Sequence, residues 1–239
     1  MKDLLRQLVP PLFFDSIKRA RNLRPRYYGL DDIDRKLEKH LPHRDGFFVE
    51  LGAADGINQS NTLYFERYKG WKGVLVEPTP HNYLLCRRNR SRETKIFCNA
   101  CTSFDYPEKF VPVVYSNLMT TPVGLESDIP EPLSHAESGK NLLEAEEDVF
   151  MFGAVARPLN TILVESSAPK LIDFLSLDVE GAEIEVLKGI DHETFRFKYM
   201  VIENRSKDKL VPFMESIGYE LVDQISGRDF LFASSVVRK

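Results

Sequence analysis

Short apolar runs that end in an acidic or amide residue recur along the chain, and a helical pattern follows most of them. Phe47–Leu51 has four apolar residues around Glu50 and runs into Gly52 and Gly56, which suits a central parallel strand covered on both faces. Asn58, Ser60 and Asn61 then offer side-chain oxygens to cap a helix through Leu63, Tyr64, Phe65 and Tyr68, stopped by Gly70. Residues 74–76 form a second strand ended by Glu77-Pro78. Thr79 and Pro80 read as the N-cap and first residue of a helix through Tyr83, Leu84 and Arg87. Residues 95–98 make a third strand. Strands and helices alternating at this pace predict a doubly wound α/β half.

The second half repeats the pattern. Leu171–Leu177 is an almost unbroken apolar run ending at Asp178. Gly181 opens a helix with Ile184 and Leu187 on one face, and Gly189 stops it. Residues 199–202 make a further strand ending at Glu203-Asn204, and a helix through Leu210, Phe213 and Met214 stops at Gly218. Residues 219–222 and 230–233, joined by a turn containing Gly227, predict a closing antiparallel hairpin.

Two stretches fall outside this rhythm. Residues 1–30 carry Lys2, Arg6, Lys18, Arg19, Arg21, Arg24 and Arg26 against Asp3 and Asp15 alone. Leu4, Leu5, Leu8, Val9, Leu12, Phe13, Phe14 and Ile17 recur there at helical spacing, broken by Pro10 and Pro11. Short helices docked on the core with a solvated basic face are the plainer expectation; the other is peripheral contact of residues 1–26 with an anionic membrane surface. A further helix over residues 31–41, with Ile33 and Leu37 inward, completes an amino-terminal segment of residues 1–43, and the main domain spans 44–239. Between the halves, residues 104–158 read as an irregular loop or lid. Its centre sets Glu126, Asp128, Glu131, Glu137, Glu144, Glu146, Glu147 and Asp148 against Lys140, among several prolines.

Composition adds limits. At 239 residues the chain is long enough for one α/β domain with a sizeable core. A net charge of −4 gives no general pull toward nucleic acid. No apolar run approaches the roughly 20 residues of a membrane span. Three cysteines, Cys86, Cys98 and Cys101, cannot all pair among themselves, which favours a reducing compartment, the cytoplasm, and free thiols. Cys98 and Cys101 form a lone C-x-x-C without the second pair or histidines of a metal site.

Charge narrows what the first turn can bind. A dinucleotide site needs G-x-G-x-x-G so that backbone can approach a pyrophosphate. Here the pattern is Glu50-x-Gly52-x-x-x-Gly56, with Asp55 before the last glycine. Two carboxylates repel a pyrophosphate and attract a cation; S-adenosyl-L-methionine is a cofactor with no phosphate, a sulfonium and an ammonium. Four strands end in polar residues at one expected rim: Glu50 with Asp55, Glu77, Asn99, and Asp178 with Glu180. A carboxylate in the place of Glu77 can accept two hydrogen bonds from a ribose diol.

Glu50-x-Gly52-x-x-x-Gly56, the Ser60-Asn61-Thr62 run, Gly70-Trp71-x-Gly73, Glu77-Pro78 and, above all, Ser176-Leu177-Asp178-Val179-Glu180-Gly181-Ala182-Glu183 with Leu187-Lys188-Gly189 resemble the FkbM-type S-adenosylmethionine-dependent methyltransferases. The resemblance covers residues 44–233. It implies a Rossmann-like seven-stranded class I methyltransferase sheet with helices on both faces, and methyl transfer to a hydroxyl of a sugar, glycan or glycosylated small molecule. Under it, Glu50 and Asp55 face the methionine end, Gly52 and Ala53 let backbone approach it, and Gly56, Asn61 and Pro78 also belong to the cofactor site. Glu77 holds the ribose, and Asn99 and Ala100 border the adenine. Asp178 sits beside the transferred methyl, with Asp178 or Glu180 as general base and His135 of the lid as a less secure base. Asp178, Glu203 and Asn204 also resemble the Mg²⁺ ligands of metal-dependent O-methyltransferases, with capping of the next helix as the competing role for Glu203 and Asn204. A Rossmann dehydrogenase is the enzyme alternative, opposed by the missing third glycine and the loop carboxylates. A non-catalytic scaffold is the other, opposed by Asp178, Glu180 and Glu183 beside an intact first loop.

Overall fold

The structure, a computed structural model, describes residues 26–143 and 147–235. The basic stretch 1–25, with Glu144 and Glu146 of the acidic centre, lies outside them. Eleven strands are described: β1 Phe47–Leu51, β2 Lys72–Val76, β3 Lys95–Phe97, β4 Ala100–Thr102, β5 Phe110–Tyr115, β6 Thr121–Pro122, β7 Phe150–Pro158, β8 Leu171–Leu177, β9 Arg196–Glu203, β10 Tyr219–Gln224 and β11 Asp229–Ser234. The α-helices are α1 Ile33–Leu37, α2 Leu63–Lys69, α3 Pro80–Asn89, α4 Pro132–Ser138, α5 Leu159–Glu165, α6 Glu183–Leu187 and α7 Lys207–Ser216.

The main sheet has seven strands in the order β10-β11-β9-β8-β1-β2-β3. Neighbours from β3 to β9 are parallel, while β11 runs antiparallel to both β9 and β10. Alternation along the central strands sends consecutive side chains to opposite faces, and both faces are dry. Val49, Leu51, Val74 and Val76 pack with Leu159, Ile162, Val186, Leu187, Leu210 and Met214 of α5, α6 and α7. On the other face Phe48, Leu75 and Phe174 pack with Ile33, Leu37, Tyr64, Phe65 and Cys86 of α1, α2 and α3. The near-continuous apolar runs of β1 and β8 follow from this two-sided burial.

The chain builds β1, β2 and β3 outward in one direction, then returns to place β8 against the other side of β1. The order therefore reverses between β1 and β8, and ligands of open α/β sheets bind beyond the carboxyl ends at such a point. Leu51 pairs with Leu177 there, so Gly52 and Asp178 emerge side by side.

Residues 104–158 are not the irregular segment that their prolines and acids suggest. They supply β5, β6, β7 and α4, and with β4 they form a second sheet in the order β4-β7-β5-β6. Val111, Val113 and Ala154 give it a small core of its own, joined by Ala100. No helix among the described residues is long and apolar enough to cross a membrane.

Candidate active site

An open cavity lies at the switch point, walled by the carboxyl ends of β1, β2 and β8, the start of β4, and the second sheet. Glu50, Gly52, Ala53, Glu77, Pro78, Asn99, Ala100, Asp178 and Glu180 all line it. Val113, Asn117, Leu118, Thr120, Pro122 and Leu125 close it from the inserted sheet. Among the described residues no lysine, arginine or histidine stands on its wall. With carboxyls as its charged side chains, the described wall suits a cationic ligand and gives a pyrophosphate no cation to pair with.

Gly52 is glycine for a local reason. Its φ is +75°, and a Cβ there would lie 1.8 Å from the backbone oxygen of Asp178. The turn after β1 thus presses directly on the turn after β8. Ala54 follows with φ +45° and donates its N–H to Glu77 Oε2 at 2.9 Å. Thr79 N–H donates to the other oxygen at 2.9 Å. Burial pushes the Glu77 carboxyl up to about 7 despite these bonds.

Glu50 has a different role from the one expected. It is buried, and its carboxylate accepts from Ser60 Oγ at 2.9 and 3.0 Å, Thr62 Oγ1 at 2.6 Å and Asn61 N at 2.8 Å. Arg90 at the end of α3 reaches in from behind, with Nη1 3.1 Å from Glu50 Oε2 and Nε 3.1 Å from Glu66 Oε2. Glu50 borders the cavity as a neutralised, fully bonded group. Arg90 went unnoticed in the sequence because nothing in a helix's run of charges marks one arginine as inward.

Three expected cofactor residues are not on the wall. Asp55 turns away to cap its own loop, its Oδ1 accepting from Ile57 N at 2.8 Å and Asn58 N at 2.7 Å. Gly56 packs against Cys86 and Arg90. Asn61 reaches sideways, its Nδ2 donating to Ser176 Oγ at 3.0 Å. The loop's short polar side chains satisfy its own backbone first.

Beyond β8, the Asp178-to-Glu183 turn is a dense charge cluster. Burial, then the carboxylates of Glu203, Glu180 and Glu183, hold the Asp178 carboxyl well above the usual aspartate range, and Glu203 shares a hydrogen bond with it. Glu183 is fully buried, accepts from the N–H groups of Val179 and Gly181, and is pushed up to about 7 by its burial. Glu180, at φ +54°, is gripped through Oε2 by Arg205 Nη2 at 2.9 Å and His135 Nε2 at 2.8 Å. The inserted segment is therefore fastened to this turn. Asp128 N–H donates to Gly181 O at 3.0 Å, and a Cβ on Gly181 would meet Ser127 Oγ at 2.5 Å.

The expected Mg²⁺ trio does not fit. Asn204 is buried, its Oδ1 accepting from Ser206 N at 2.8 Å in the turn before α7 and its Nδ2 3.5 Å from Glu183 Oε2; the N-cap of α7 is Ser206, so Asn204 neither stands free for a metal nor caps the helix. Among the described residues no three His, Cys, Asp or Glu side chains converge as a metal site. Cys98 and Cys101 are free thiols, both pushed up by burial, which makes them inert.

Strand order, switch-point cavity and cationic-ligand chemistry together define the class: a Rossmann-like class I methyltransferase. Residues 50–221 match the methyltransferase FkbM domain, and the chain belongs to that family of S-adenosylmethionine-dependent enzymes. Solved structures similar to it include a TehB-like SAM-dependent methyltransferase from Corynebacterium glutamicum, at 11% identity and TM-score 0.44, covering 92% of this chain and 97% of that one. Another is precorrin-6y C5,15-methyltransferase from Geobacter metallireducens, at 12% identity and TM-score 0.41, covering 86% and 89%. A third is TrmK of M. capricolum in complex with S-adenosyl-homocysteine, at 8% identity and TM-score 0.43, covering 84% and 65%. No curated protein matches the chain significantly.

Removing Arg90 strands the Glu50 charge away from water. Arg90→Met is expected to lower the unfolding free energy in urea by about 3–5 kcal/mol, and adding Glu50→Gln to recover part of the loss.

Proposed function

We propose that the enzyme moves a methyl group from S-adenosylmethionine to a hydroxyl of a neutral sugar, glycan or glycosylated small molecule. The observation that carries the reading is Asp178, a carboxylate at the cavity floor whose affinity for a proton its surroundings have raised. Accepting the proton of an attacking hydroxyl requires such a group. When bound, the cofactor supplies an electrophilic methyl on a positively charged sulfur.

The chain's own residues do the rest. Gly52 and Ala53 bring backbone close to the methionine end, and Glu77, already oriented by Ala54 and Thr79, takes the ribose hydroxyls on its remaining lone pairs. Pro78, Asn99 and Ala100 flank the base. A cation entering beside Asp178 favours the ionised carboxylate, so cofactor binding prepares the base. Asp178 accepts the acceptor's proton, and Glu203, hydrogen-bonded behind it, is the next site for that proton. Glu180, fixed by Arg205 and His135, holds the inserted sheet over the reacting groups and keeps water out. Orientation of this kind can supply several kcal/mol of the acceleration.

Glu77→Ala is expected to weaken S-adenosylmethionine binding by about 1–3 kcal/mol in calorimetric titration. Ionised Glu77 is the form that accepts both hydroxyls, so wild-type affinity should rise as the pH rises through about 7 and the slope should flatten in Glu77→Gln. Asp178→Asn should cut turnover by at least tenfold while leaving cofactor affinity within a few-fold, read by labelled-methyl transfer beside titration. Equal losses in both would remove Asp178 from the base's role.

A further inference from the structure

Resting on the hydroxyl-acceptor reading above, we propose that Gln59 and Asn117 form the acceptor subsite, a pair of carboxamides that selects a neutral, hydroxyl-dense substrate such as a sugar ring. The first observation is where the backbone is strained. Among the described residues, eight non-glycine positions have positive φ, a region that aspartate and asparagine tolerate and other side chains adopt at a cost. Of the eight, Ala54, Gln59, Asn117 and Glu180 line the cavity. Strained conformations gather at functional sites because surrounding structure must enforce them.

Two of the four have jobs already. Ala54 orients Glu77, and Glu180 fastens the inserted sheet. Gln59 and Asn117 remain, one from the loop after β1 at φ +58° and one from the turn after β5 at φ +52°. The backbone of Gln59 is pinned by a bridge to Gly29. Asn117 is held by its Nδ2, which donates to Glu147 Oε2 at 2.9 Å.

Their chemistry fixes the substrate class. A carboxamide both donates and accepts, as a hydroxyl does, and carries no charge. Asn58, Leu118 and Thr120 also stand on the wall and bring none either. A phosphorylated or carboxylated acceptor would find no cation on the described wall. The charged side chains on the wall, Glu50, Glu77, Asp178 and Glu180, are all carboxylic.

Glycine variants test this without threatening the fold, because glycine adopts positive φ without strain. Gln59→Gly and Asn117→Gly are assayed with labelled S-adenosylmethionine, a panel of methyl hexopyranosides, and the corresponding hexose 6-phosphates. The expected result is label in a neutral hexopyranoside, KM for that sugar raised at least tenfold in each variant, S-adenosylmethionine affinity within twofold, and no fall in melting temperature. An unchanged KM in both variants overturns the subsite and leaves the hydroxyl-acceptor reading standing. Preferred labelling of the phosphates overturns the neutral class. Label in no sugar, with cofactor binding intact, overturns the sugar-hydroxyl reading and this inference with it.

Discussion

The buried Glu50–Arg90 pair is the constraint from which the site's shape follows. Taking both charges out of water is costly, and such a pair survives only when its remaining hydrogen-bonding capacity is filled. Here Ser60, Thr62 and the Asn61 N–H fill it on the carboxylate side. Glu66, Thr62 Oγ1 and Gly56 O fill it on the guanidinium side. These partners come from the loop after β1, the start of α2 and the end of α3. One ion pair thereby ties both helices to β1. Ser60 serves twice, since its hydroxyl also accepts from the Leu63 N–H at the head of α2.

Neutralising Glu50 from behind changes the electrostatics in front. The anionic character of the cavity passes to Glu77 and Asp178, two carboxyls whose burial raises their proton affinity because no cation faces them from the protein. Their ionisation is therefore coupled to a positively charged ligand. The clustered charges beyond β8 act differently. Arg205 reaches Glu180, Glu203 and Asp128 together, and with His135 it converts a repulsive acidic turn into an anchor for the inserted sheet.

Much of the fold was legible because two-sided burial writes near-continuous apolar runs. The spans of β1 and β8 were readable to the residue, as was the stop of α2 at Gly70; the closing hairpin was legible too, but its strands run longer than expected, Tyr219–Gln224 and Asp229–Ser234. The second sheet was obscured by its own sequence. Pro112 interrupts β5 and Gly153 interrupts β7, and acidic, proline-bearing turns surround them. Yet β6 pairs only with Val113 and Val114, so Pro112 lies beyond that ladder, where a missing N–H is tolerated.

The sequence by itself determined the α/β class and the residue types at the strand ends, because each is set by local periodicity, and its contiguous motifs carried the family resemblance that implied a seven-stranded sheet; the order of the strands came from the structure. Tertiary structure alone decided which of those polar residues face the ligand. Asp55 and Asn204 differ from Glu77 and Asp178 in nothing that their neighbours in sequence reveal. The first two spend their oxygens on adjacent backbone N–H groups and stand off the cavity wall, whereas Glu77, though it too accepts from the Thr79 N–H, lines the cavity with Asp178. Arg90, 40 residues from its partner, entered the site only when α3 packed across the sheet, since burial and charge pairing depend on distance in space.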